Sequence, residues 1–170
     1  MSGRLLTVAV AAAIAAAGFV APAANASVRP FDGCGAAWND VGSPGNLYAF
    51  ADHEYVGQVE QQYQVCGGGV VNARGHFQWS GTFQARYSGF MVTVEIDSHH
   101  YGPTGGPSTM DSEDSKNIYS PAFEIHHANP DQWWAQASLE GAACGEPIAR
   151  GTDWLYATGS PMAGPVEGHC

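Results

Sequence analysis

Apolar side chains recur at every second position in several separated stretches of this 170-residue chain, and that period restricts the fold more than any other feature. In VEQQYQVC, Val59, Tyr63 and Val65 share one parity while Glu60, Gln62 and Gln64 share the other. FMVTVEID sets Phe90, Val92, Val94 and Ile96 against Met91, Thr93, Glu95 and Asp97. HFQWS and TFQARYS repeat the pattern around Phe77 and Trp79, then Phe83, Ala85 and Tyr87, with Ser80-Gly81 read as a tight turn between them. NLYAFAD, PAFEIHHA, QWWAQASLE and DWLYATG read as further strands. No window after residue 26 keeps apolar residues at helical spacing for three turns, and Gly and Pro are spread throughout. About eight strands with one oily face each can bury those faces only against one another. The expected fold is therefore all-β, a single antiparallel β-sandwich or partly closed barrel. Residues 101–120, Gly/Pro-rich and then acidic, read as the longest loop.

Residues 1–26 combine Arg4, an apolar run from Leu5 to Val20 and the small-x-small end Ala24-Asn25-Ala26, the make-up of a secretory signal peptide. The run is short for a membrane-spanning helix, and Pro22 and Asn25 break its continuation. Neither a twin-Arg pair nor a Cys after the expected cut is present. The expectation is an exported, extracellular protein whose mature chain starts at Ser27 and forms one domain over 27–170.

Cys34, Cys66, Cys144 and Cys170 all fall in that domain, and in an exported chain an even count reads as two disulfides. Of three possible connectivities, Cys34–Cys66 with Cys144–Cys170 is preferred, because pairing sequence neighbours ties each terminal segment to the sheet it flanks. No CxxC occurs, which argues against a thiolate zinc site, and no thiol remains as a nucleophile. Without Arg4, five cationic residues face sixteen Asp and Glu, one charge more acidic than the −10 of the full chain. Such a chain repels phosphate backbones and anionic membranes, so neither nucleic acid nor a membrane is expected as partner.

Two His-His pairs, His99-His100 and His126-His127, raise the question of a metal site. Neighbours on a strand point to opposite faces, so each pair offers one outward ring. With Phe90 to Ile96 inward, Glu95, Asp97 and His99 face out; with Phe123 and Ile125 inward, Glu124 and His126 face out. If strands 90–99 and 122–128 pair, as neighbours usually do, three carboxylates and two imidazoles share one face. Such a mixed N/O set suits a divalent metal or acid/base chemistry, against the plainer reading of cross-strand pairs on a solvated face. The acidic turn with Asp111, Glu113, Asp114 and Asn117 offers oxygen ligands for Ca²⁺ but lacks the EF-hand spacing, and reads as a solvated turn. No cofactor is required; Ca²⁺ or Zn²⁺ is the metal alternative.

Adjacent Trp133 and Trp134 cannot both face a core. With Trp133 inward beside Ala135, Ala137 and Leu139, Trp134 faces out between Gln132 and Gln136, a candidate stacking platform for a sugar ring. The alternative is a Trp134 covered by the long loop or the C-terminal tail. One further stretch, FADHEYVG, with Phe50, Tyr55 and Gly57, resembles the aromatic-x4-aromatic-x-Gly signature of βγ-crystallin Greek keys. The resemblance covers eight residues and implies a Greek-key sandwich with Ca²⁺ binding or metalloproteinase-inhibitor activity. No G-x-S-x-G elbow, H-E-x-x-H or phosphate loop occurs. The chain thus reads first as a monomeric extracellular binding module for a glycan or protein. A secreted protease inhibitor using loop 101–120 comes next, and a metal binder or metal-dependent hydrolase on the His/carboxylate face third.

Overall fold

The strands expected from the alternation assemble into two antiparallel sheets. The computed structural model describes residues 34–99, 105–125 and 131–170; the expected signal peptide, His100, His126 and His127 lie outside them. The strands are β1 (Asn39–Ala49), β2 (Glu54–Val65), β3 (Val71–Trp79), β4 (Met91–Ser98), β5 (Ser108–Ser112), β6 (Asn117–Tyr119), β7 (Phe123–Glu124), β8 (Gln132–Glu140), β9 (Ile148–Arg150), β10 (Asp153–Leu155) and β11 (Ser160–Ala163). The first sheet runs β1-β2-β3-β6 with β7 also on β3; the second runs β11-β10-β8-β4-β5 with β9 on β8. The arrangement is a sandwich, and neither sheet closes into a barrel.

Parity decides what fills the gap. Val59, Phe77 and Ile118 form one inward row across β2, β3 and β6. Val94, Ala137 and Ala149 form an inward row across β4, β8 and β9, and all six belong to one buried cluster. Bulk is concentrated on the first sheet, in Phe77 and Trp79, and the second answers with Ala135, Ala137 and Ala149, so the faces interdigitate. A second cluster of Ala73, Ile96, Ile125 and Trp133 continues the core. Gly75 marks a close approach of the sheets: a Cβ there would lie 2.6 Å from the Glu95 carbonyl oxygen, so any larger residue would push β3 off β4.

Both disulfides have the expected partners, Cys34–Cys66 and Cys144–Cys170. Other expectations are corrected. TFQARYS is not a strand: Gly81–Arg86 form a short helix, α1, capped by Ser80, whose hydroxyl accepts from the Phe83 amide. The cause is that Phe83 and Tyr87 fit both periods, and as an i, i+4 pair with ring centroids 4.7 Å apart they cover the core end beside Phe50 and Phe90. Part of the expected 101–120 loop is β5 and β6, through which the chain passes from the second sheet back to the first. FADHEYVG forms the β1–β2 turn and the start of β2. Strands 90–99 and 122–128 do not pair: β4 lies between β5 and β8, whereas β7 lies on β3 of the opposite sheet.

Phe77 is fully buried at the centre of the core. Phe77→Ala is expected to lower the unfolding free energy by about 3–5 kcal/mol. The outward Gln78→Ala should change it by less than about 0.5 kcal/mol, and urea denaturation of both variants checks the pair.

Candidate functional site

The outer face of the second sheet carries most of the residues singled out by parity. Glu95 pairs with Gln136 and Asp97 with Trp134, while Gln136 also pairs with Arg150. Orientation follows the expectation; accessibility does not. Trp134 is only 5 % exposed, because the Arg150 guanidinium lies 4.8 Å over its ring and His99 meets it edge-on at 5.0 Å. Its indole N–H donates to Gln136 Oε1 at 3.2 Å, and the Gln136 amide donates to Glu95. Gln132 donates to Asp153 at 2.6 Å. The face is thus a self-satisfied network, and Trp134 is no bare platform.

The expected metal set is also divided. Glu95, Asp97 and His99 stand on β4 and just after it, but Glu124 belongs to β7 in the other sheet, and His126 lies outside the described residues. Parity fixed the face and could not fix the neighbouring strand. Asp111 and Glu113 accept hydrogen bonds from the chain itself. Asp111 accepts from the Ser112 amide and the Ser115 hydroxyl, and Glu113 accepts from the amides of Gly89 and Phe90.

A more open array lies on the outer face of the first sheet. Three cross-strand rows build it: Asp40–Gln62–Arg74, Glu60–His76–Tyr119 and Gln58–Gln78–Asn117. The Cys34–Cys66 disulfide draws residues 34–38 across one end of this face, where Gln64 donates to the Ala36 carbonyl. That segment delivers Trp38. The Arg74 guanidinium is held between two rings, 4.1 Å from Trp38 and 4.0 Å from Tyr119, and donates twice to Gln62 Oε1 at 2.9 and 2.8 Å. Tyr119 stacks in turn on His76 at 4.8 Å and is 39 % exposed.

A small cavity of about 220 Å³ opens where Val41, Tyr63, Trp154, Tyr156 and Gly159 meet. Behind it Gln61, fully buried, donates to the Tyr156 hydroxyl, and burial pushes the tyrosine pKa well up, so the group stays protonated. Three aromatic walls suit it to no more than a single small ring.

No family model, curated protein or solved structure matches this chain.

Asp40, Glu60 and His76 bring one ligand-type atom each within 4.8 Å of one another, the one such trio among the described residues. Yet His76 Nδ1 is 2.8 Å from Glu60 Oε1 and Nε2 is 3.0 Å from Asn117 Oδ1, so both ring nitrogens face oxygen acceptors. A doubly protonated imidazolium satisfies both. Burial disfavours that charge, but the hydrogen bonds to Glu60 and Asn117 and the Glu60 charge outweigh it, and the pKa is raised. A proton therefore competes with any cation at this place, and the ring's hydrogen bonds reach no hydroxyl or thiol among the described residues.

On the opposite sheet burial raises the carboxyl pKa of both Glu95 and Asp97, with the Asp97 charge adding to the effect on Glu95. All three raised groups have the same linkage sign. His76 contributes fully below its unfolded value near 6.5 and loses that contribution as pH rises through the higher folded value. Glu95 and Asp97 do the same from the ordinary carboxylate range upward. Stability should therefore rise as pH falls from 8 towards 5.5. Thermal melts across that range check it, and His76→Gln should flatten the upper part of the profile; a melting temperature that climbs steadily towards pH 8 would contradict the assignment.

Proposed function

We propose that the protein is a secreted, non-catalytic binding module that recognises an extracellular glycan through the outer face of the first sheet. The observation that carries this reading is the Trp38–Arg74–Tyr119 stack, held rigid by Gln62 and bordered by hydrogen-bonding groups. Sugar rings present an apolar face with hydroxyls at the rim. Aromatic side chains cover the first and amides or carboxylates satisfy the second. Tyr119 supplies exposed aromatic surface, and Asn117, Asp40, Gln58 and Gln78 lie within the same rows. Export is supported by the signal-like residues 1–26 and by two disulfides, bonds that persist in oxidising compartments. Among the described residues no helix is long and apolar enough to cross a membrane.

The platform first expected at Trp134, Gln132 and Gln136 moves to the opposite face because Trp134 is buried beneath Arg150 and His99, whereas Tyr119 is exposed. An enzymatic reading is less well supported, since His76 is locked between two acceptors and both cysteine pairs are oxidised.

Tryptophan fluorescence titrated with a broad panel of polysaccharides tests the proposal. A saturable shift is expected with at least one glycan, its affinity reduced about 2- to 12-fold by Trp38→Ala and by Tyr119→Ala, the loss of one stacked ring being worth roughly 0.5–1.5 kcal/mol. Trp134→Phe should leave it unchanged. A flat response across the panel removes the glycan reading, and binding untouched by both aromatic substitutions removes this face.

A further inference from the structure

At the far edge of the first sheet, in the β1–β2 turn and the C-terminal tail, two histidines meet that the outer face does not use. The tail is clamped before reaching the second of them: the Gly168 amide donates to Asn46 and its carbonyl accepts from Tyr48, at 2.9 and 2.8 Å, and Cys170 is fixed by its disulfide to Cys144. His169, held between these two anchors, stacks flat on Tyr48 with centroids 4.8 Å apart. His53 approaches from the turn, where its backbone adopts φ 57°, a left-handed conformation uncommon for a residue with a side chain.

The two Nδ1 atoms lie 3.3 Å apart, with ring centroids at 5.2 Å and planes at 78°. That separation is at the long end for a direct N–H···N bond. It also matches the spacing a metal requires: two imidazole nitrogens at about 2.0–2.1 Å from a tetrahedral centre stand roughly 3.3 Å apart. The other nitrogen of His169 is committed as well, since Nε2 lies 3.0 Å from Glu167 Oε2, and Glu167 is steadied by the Asn46 amide at 3.4 Å. A carboxylate on Nε2–H leaves the lone pair on Nδ1, facing His53. Carboxylate–histidine–metal relays are built this way.

We propose that His53 and His169 form a binding site for a late first-row divalent metal, with Glu167 orienting His169 from behind. Imidazole nitrogen suits copper, nickel and zinc, and the general affinity order places Cu²⁺ first. Both rings are exposed, so the remaining coordination positions open to solvent and to an exogenous ligand. The site is separate from the glycan face and does not depend on it. Bound metal would tie the C-terminal tail to the β1–β2 turn.

Equilibrium dialysis of the full chain against Cu²⁺, with metal counted per chain, tests this. Wild type should hold one equivalent that His53→Gln and His169→Gln each lack. Glu167→Gln should weaken that equivalent about 10- to 100-fold, and His76→Gln should keep it. Circular dichroism verifies that each variant is folded, and paramagnetic resonance of the Cu²⁺ complex should show two imidazole nitrogens, one fewer in each His variant. The proposal is overturned if His53→Gln and His169→Gln retain the wild-type number of equivalents at unchanged affinity. It is equally overturned if His76→Gln alone removes the equivalent, which would place the ion among Asp40, Glu60 and His76.

Discussion

Two sheets pressed face to face oblige every strand to be apolar on one side, and everything placed on the outside follows from that constraint. The row Val59–Phe77–Ile118 points inward, so Glu60, His76 and Gln78 must point outward on the same strands. Ile96 and Ala135 point inward, so Glu95, Asp97, Trp134 and Gln136 must point outward on the other sheet. The two outer faces then diverge. On the second sheet Arg150 lies over Trp134 and the amide of Gln136 bridges Trp134 to Glu95, which leaves few groups unused. On the first sheet the guanidinium is stacked from the side between rings, and Tyr119 keeps an open surface.

The disulfides act on this frame in the same way at both ends of the chain. Each ties a segment outside the strands to a strand end or loop, with separations of 32 and 26 residues. Such cross-links restrict the unfolded chain, typically by a few kcal/mol. They also position side chains that no strand carries. Cys34–Cys66 brings Trp38 onto Arg74, and Cys144–Cys170 brings His169 onto Tyr48. In both places a side chain from a tail completes an arrangement begun by the sheet.

How much of this was legible follows from what alternation encodes. It reports which face a residue occupies, so the inward Phe77, Trp79, Ile96 and Trp133 and the outward Glu95, Asp97, Gln132, Trp134 and Gln136 could all be read. It does not report which strand lies alongside, so Glu124 was grouped with β4 although β7 pairs with β3. It fails where two periods coincide, as at Phe83 and Tyr87, and there the Ser80 cap was the overlooked signal for a helix. Burial of Trp134 depended on Arg150, sixteen positions further on and brought beside Gln136 only by the pairing of β9 with β8. The rows through Arg74 and His76 are within reach of the sequence, since β2 and β3 are consecutive and Glu60 and Gln62 share the polar parity of β2. Trp38 and Tyr119 are not, because a disulfide and a crossing between sheets place them.

The charge balance gives the outer array of the first sheet its particular character. A chain with sixteen acidic and only six basic residues can place its cations selectively, and Arg74 and His76 are set side by side among Asp40 and Glu60. Neither side chain is left to search for its geometry. Arg74 is fixed by two bonds to Gln62 and by two aromatic faces, and His76 by Glu60, Asn117 and the Tyr119 ring. Long side chains on an open sheet would otherwise lose about 0.5–1.5 kcal/mol each in conformational freedom on meeting a ligand. Here that ordering is completed during folding. A surface so arranged loses little conformational entropy when it meets a ligand.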